Sequence, residues 1–218
     1  MWHTQVYLPD ITTAPDDEFV AEMHQLCAVL CSDNKGADPG LAARLCVAIR
    51  SALTSTAGGT GPRPVLTLRV YERLISSALT LQAQHPKDLS HAQALMASAQ
   101  LTLLPQLPVG SAAYTAVKDA LHAVLALESA PDLSRITHLG KGTRALGGSH
   151  ILTPSRRAHA EALMACMTCK LPVLLEGPAA VGKTSLVAAV CSAHRLTLLR
   201  ISNGESTTLQ VRLLLSCS

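Results

Sequence analysis

Aromatic side chains are nearly missing from this chain: Trp2, Tyr7, Phe19, Tyr71 and Tyr114 are the whole set in 218 residues. With 48% hydrophobic residues, any core is built from Leu, Ala and Val. That composition favours helices over an all-β fold. The same scarcity removes the platforms on which bases stack, so direct nucleic-acid binding is not expected. No uninterrupted apolar run reaches the ~18 residues of a membrane span, and no membrane partner is expected. The start, MWHTQVYLPD, has neither the apolar core of a signal peptide nor an Arg-rich transit pattern. Seven cysteines, an odd number, lack the spacing of a secreted disulfide framework. Free thiols in a soluble, intracellular protein are the expectation. The nine histidines show no HExxH or clustered spacing, and none is assigned a metal. Charge is also scarce, a formal +3. It is uneven: residues 1–130 carry 8 basic and 11 acidic side chains, residues 131–218 carry 10 and 4. The imbalance suits an anion-binding second half but is too weak to argue for nucleic acid.

What is present centres on Leu171–Ser185, LPVLLEGPAAVGKTS. It reads as a short buried strand, a glycine-bounded loop and the start of a helix. Gly177, Gly182, Lys183 and Thr184 fill the pattern G-x-x-x-x-G-K-[ST], the Walker A motif or P-loop. The loop must turn successive backbone N–H groups inward around phosphate oxygens, and glycine takes the required angles without strain. The following helix adds its positive N-terminal end. Gly177, Pro178, Ala179, Ala180, Val181, Gly182, Lys183, Thr184 and Ser185 are therefore the expected nucleotide-binding residues. Lys183 is placed for the β- and γ-phosphates of ATP and Thr184 for Mg²⁺.

Taken in order, Thr4–Leu8 is a β-like run stopped by Pro9, and reads as the last strand of an earlier unit. Asp16, Asp17 and Glu18 suit a helix start. Apolar residues at helical spacing then predict helices over Phe19–Cys31, Leu41–Leu53, Leu66–Leu81, Ser90–Leu104 and Ala112–Leu127. Arg44 and Arg50 fall on the polar side of the second. Ser55–Pro64 is a loop by composition. The five helices make a plausible all-α bundle over residues 11–128. Residues 129–150, polar and glycine-rich, read as a linker. Thr153 as N-cap and Pro154 as first residue open a helix to about Cys169. A strand at Pro172–Leu175, the P-loop, a helix to about His194 and a strand at Leu196–Ile201 follow. A complete P-loop fold needs about five parallel strands. Two are reached, so residues 151–218 are expected to be an incomplete core.

Other residues invite sharper readings than they support. Cys166-x-x-Cys169 has no second CxxC and lies in an apolar helix, so core packing is preferred to a metal or redox site. Cys27 and Cys31 read as small hydrophobes. Glu176 reads as structural or solvated rather than as a base, and Glu205 as an exposed or partner-facing loop acid. Arg156 and Arg157 read as a solvated patch at a helix start, with contact to adenine or ribose as the alternative.

Three stretches resemble the midasin-like, dynein-related AAA ATPases. They are Ile151–Pro154 followed by PVLLEGP…GKTSLV, Arg200–Gln210 (RISNGESTTLQ), and Thr60–Leu68 followed by Arg69. The resemblance covers nearly all of residues 150–210 and the ends of the helical region. It implies the tail of one AAA module (residues 1–10), its helical lid, a linker and the opening of the next module. The implied fold class is an α/β P-loop NTPase, incomplete, with its first strands only, preceded by an all-α helical lid bundle. Arg69 would then sit where a lid arginine senses the γ-phosphate of the earlier module's nucleotide; a solvated arginine is the equal alternative. Implied partners are ATP, neighbouring AAA modules and pre-ribosomal proteins. The implied place is the nucleus, in nucleolus and nucleoplasm, and the implied role is ATP-driven release of assembly factors from large-subunit precursors.

Thr208 departs from the family's aspartate, and VRLLLSCS replaces the family's continuation after Gln210. No later strand supplies a Walker B carboxylate, a sensor or an arginine finger, so weak or no hydrolysis is expected. The rival readings are a non-catalytic interaction module with a vestigial loop, and a compact P-loop kinase or unrelated NTPase. The 34 residues after Thr184 are too few for the latter.

Overall fold

The computed structural model describes residues 15–56, 66–127, 129, 131–133, 136–137, 145–146 and 150–200. The expected strand Thr4–Leu8, the glycine-rich stretch 57–65, residues 201–210 and the final VRLLLSCS lie outside the described residues.

Five helices form the first part: α1 Asp16–Cys31, α2 Pro39–Ser55, α3 Leu68–Gln84, α4 His91–Thr102 and α5 Ala112–Leu125. Local chemistry starts them. Asp38 accepts from Leu41 N at 3.0 Å to cap α2, with Pro39 behind it. Ser90 and Gln93 form a reciprocal capping box on α4. Ser111 accepts from Tyr114 N at 3.1 Å to cap α5. The α3–α4, α2–α5 and α1–α2 pairs pack closely around one apolar core. Phe19, Met23, Leu45, Ile49, Leu74, Leu95 and Leu121 fill it.

The few aromatics are used together. The rings of Phe19 and Tyr71 meet edge to face at 5.6 Å, and the Arg50 guanidinium lies 4.3 Å over Phe19. Arg50 also reaches Asp16 at 3.4 Å, its side chain only 13% exposed. The polar-face placement expected of Arg50 is therefore corrected. The aromatic face attracts the cation, and its long stem covers apolar surface.

The second part holds a two-stranded antiparallel pair, β1 Ala145–Leu146 and β2 His150–Ile151, then α6 Pro154–Thr168 and α7 Lys183–Ala193. Leu146, Ala160, Leu163, Met164, Leu186 and Val190 form its small core. Some of the expected linker is thus bound into the fold: Leu146 and Ile136 are both buried. The two parts meet where α4 packs on α6, with Leu81, Leu89, Ala97, Ile136 and Ala165 in one cluster.

The strands expected at Pro172–Leu175 and Leu196–Ile201 are corrected for the described residues: residues 171–178 and 196–200 hold no regular structure. A strand is stabilised by its ladder, and neither run has one here. Their apolar residues stay in the open, Leu174 81% and Leu199 61% exposed. Among the described residues no helix is long and apolar enough to cross a membrane.

Candidate functional site

The loop before α7 is aimed by the helix on its other side. Thr153 accepts from Arg156 N at 3.4 Å and Pro154 takes the first position, which fixes where α6 begins. The apolar face of α6 then seats α7 through Leu163, Met164, Leu186 and Val190. At its far end α6 closes in a tight turn. Lys170 is left-handed, and Leu171 N donates to Cys166 O at 2.9 Å. Six residues after Leu171 the chain reaches Gly177, where the loop begins.

Two glycines do what the motif requires. Gly177 has φ 146° and Gly182 φ 84°, both in the region that disfavours a Cβ. Gly182 is the N-cap of α7, and its carbonyl accepts from Leu186 N at 3.0 Å. A Cβ there would stand 3.0 Å from Ser185 Oγ and 3.4 Å from an Arg156 guanidinium nitrogen. Ser185 Oγ donates to Gly182 O at 2.9 Å, tightening this first turn. Between the glycines, Ala179 and Ala180 form a turn with Ala180 also left-handed, and Val181 lines the adjoining cleft.

The Lys183 ammonium folds back over the loop, donating to Gly177 O and to Pro178 O, each at 2.7 Å. Thr184 is exposed one residue into α7, its hydroxyl uncommitted to any hydrogen bond among the described residues. The fit to a Mg-nucleotide is chemical: a glycine cradle, an ammonium above it, a hydroxyl at the helix start and a helix N-terminus beneath.

A cleft of about 760 Å³ opens beside the loop, between α6, the α3–α4 edge of the bundle and residues 171–176. Leu101, Leu163, Leu171 and Leu186 give it apolar walls. Among the described residues Arg73, Arg156 and Lys183 line it against the single carboxylate of Glu176, so it favours an anion with an apolar portion.

Arg69 is not part of this cleft. It lies exposed on α3 and lines a second, shallower hollow of about 540 Å³ with Arg73, Ser76, Thr80 and Lys170. Arg73, one helical turn beyond Arg69, lines both. Sequence reasoning missed it; the only signal was its i+4 spacing from Arg69.

The cysteine pair divides. Cys166 lines the cleft, whereas the Cys169 thiol points to Ser77 O at 3.8 Å, where α6 meets the bundle. Burial, aided by Cys166, pushes Cys169 up to about 12, which suits a packed thiol rather than a thiolate ligand. In the bundle Cys27 and Cys46 share a thiol–thiol hydrogen bond that lowers Cys27 and raises Cys46. No group of three His, Cys, Asp or Glu side chains that could hold a metal exists among the described residues.

Compared with known proteins, the chain is similar to "Midasin" of Giardia intestinalis, 34% identical over 67 residues. That match covers 31% of this chain and 1% of the relative, so the chain spans a very small part of that protein's length. No family profile matches the chain, and no solved structure matches it.

Proposed function

We propose that this chain binds ATP with Mg²⁺ through Gly177–Ser185, as part of a P-loop unit of the midasin-like AAA type. The observation that carries the reading is the pair of left-handed glycines bracketing a loop over which Lys183 is folded. Phosphate oxygens would replace the Gly177 and Pro178 carbonyls as partners of the ammonium, and Thr184 would hold the metal. The partial similarity to midasin supports the choice of family. By that analogy the whole protein would hydrolyse ATP to release assembly factors from pre-ribosomal large-subunit particles in the nucleus, with adjacent AAA modules as partners. An α/β sheet completing the unit belongs to the same proposal. For residues 1–218 alone the expected turnover is slow or nil, since among the described residues Glu176 is the only carboxylate lining the cleft.

One observation favours a second reading, an interaction module with a vestigial loop: the two carbonyl contacts of Lys183 satisfy the loop without any ligand. A fluorescent ATP analogue titrated with and without Mg²⁺ separates the two. Saturable, Mg²⁺-dependent binding that Lys183→Ala weakens tenfold or more, roughly the value of a charged hydrogen bond, is the expected result. No saturable binding would favour the interaction module.

A further inference from the structure

Arg156 and Arg157 are neighbours in the first turn of α6, and sequence alone cannot tell them apart. The fold separates them. Arg157 Nη1 pairs with Glu161 Oε1 at 3.6 Å, one turn along the same helix. Arg156 turns instead to the loop. Its Nη2 lies 3.4 Å, and its Nη1 3.6 Å, from the place a Cβ on Gly182 would occupy. It is half-buried and lines the same cleft as Lys183. Among the described residues its guanidinium has no hydrogen-bond or ion-pair partner.

We propose that Arg156 is a second phosphate-binding cation of this cleft, and that it makes the site selective for a nucleoside triphosphate over a monophosphate. The inference rests on the reading of the loop as a nucleotide site. A guanidinium keeps its charge under all ordinary conditions and binds phosphate oxygens in a bidentate fork. Here it is half out of water and set against the N-terminus of α7, where the helix dipole adds partial positive charge. Arg156 adds a second positive charge to the cleft that Lys183 also lines, and an anion there is attracted by both. Lys183 already has carbonyl acceptors; among the described residues Arg156 has none. The attraction to Arg156 grows with the charge of the phosphate chain, so its gain is larger for ATP than for AMP. Its contact with Gly182 also gives that glycine a second reason for lacking a side chain.

The test is equilibrium titration of residues 1–218 with fluorescent ATP and AMP analogues in Mg²⁺, using wild type, Arg156→Gln, Arg156→Lys and Arg157→Gln. Arg156→Gln is expected to weaken ATP binding roughly tenfold to a hundredfold and AMP binding by less than about twofold. Arg156→Lys should recover part of the loss, and Arg157→Gln should match wild type. The proposal is overturned if wild type binds ATP and the two glutamine variants behave alike. It is also overturned if Arg156→Gln weakens ATP and AMP equally, the mark of a structural role. If wild type binds neither nucleotide, the nucleotide reading itself fails and this inference goes with it.

Discussion

His91 is where burial makes stability depend on pH. Its Nδ1 meets Gln82 Oε1 at 2.9 Å, and the residue is 7% exposed. Burial lowers its pKa below the ordinary 6.5, and the nearby Asp38 opposes this only in part. As pH falls, the unfolded chain therefore takes up the proton before the folded one. The stability tied to neutral His91 is fully present above about pH 6.5, then declines as pH falls toward the lowered folded value. The urea midpoint of wild type should drop between about pH 7.5 and about pH 5.5 by more than that of His91→Gln. Equal drops would remove His91 from the account.

At this scale the loop was legible because its demands are local. A G-x-x-x-x-G-K spacing already implies two left-handed backbones and a helix start, and Gly177 and Gly182 have them. The roles of Arg156 and Arg50 were not legible. Each depends on which helix packs opposite: α7 brings Gly182 to Arg156, and α1 brings Phe19 under Arg50.

Among elements, helices were read to within a few residues wherever apolar spacing and a capping residue agreed. The segment expected at Ser90–Leu104 shows why. Ser90 caps through a reciprocal box with Gln93, and α4 runs His91–Thr102 before a short 3-10 turn at Leu104–Gln106. Ser90→Ala removes the acceptor and should cost about 1 kcal/mol in chemical denaturation with an unchanged slope. Ser90→Asp should recover most of it. Strands were less legible because a strand is a property of a pair. Val173 and Leu174 have the right composition, but without a neighbouring ladder among the described residues they hold no β structure. The reverse error occurred in the glycine-rich stretch after α5. A two-residue pairing of Ala145 with Ile151 is too short to leave a periodic signal.

Across the whole molecule, the consequential feature is the junction between the bundle and the second part, which holds the glycine-bounded loop. Ala165, 1% exposed, sits there with Leu81, Leu89, Ala97 and Ile136, and Cys169 reaches Ser77 beside it. The junction also sets the cleft, since Arg73 and Leu101 from the bundle face Lys183 across it. Ala165→Glu would bury an unpaired carboxylate, which the chain can relieve only by parting the two units. Hydrogen exchange in α6 and α7 should then rise sharply while α1 and α2 keep their protection; uniform loss of protection would mean the two parts fold as one.

A titration decides whether the loop from Gly177 to Ser185 holds a nucleotide, as proposed. With a fluorescent ATP analogue and Mg²⁺, residues 1–218 should bind saturably, and Lys183→Ala should weaken binding at least about tenfold. Binding that is unsaturable, or unchanged by Lys183→Ala, would contradict it.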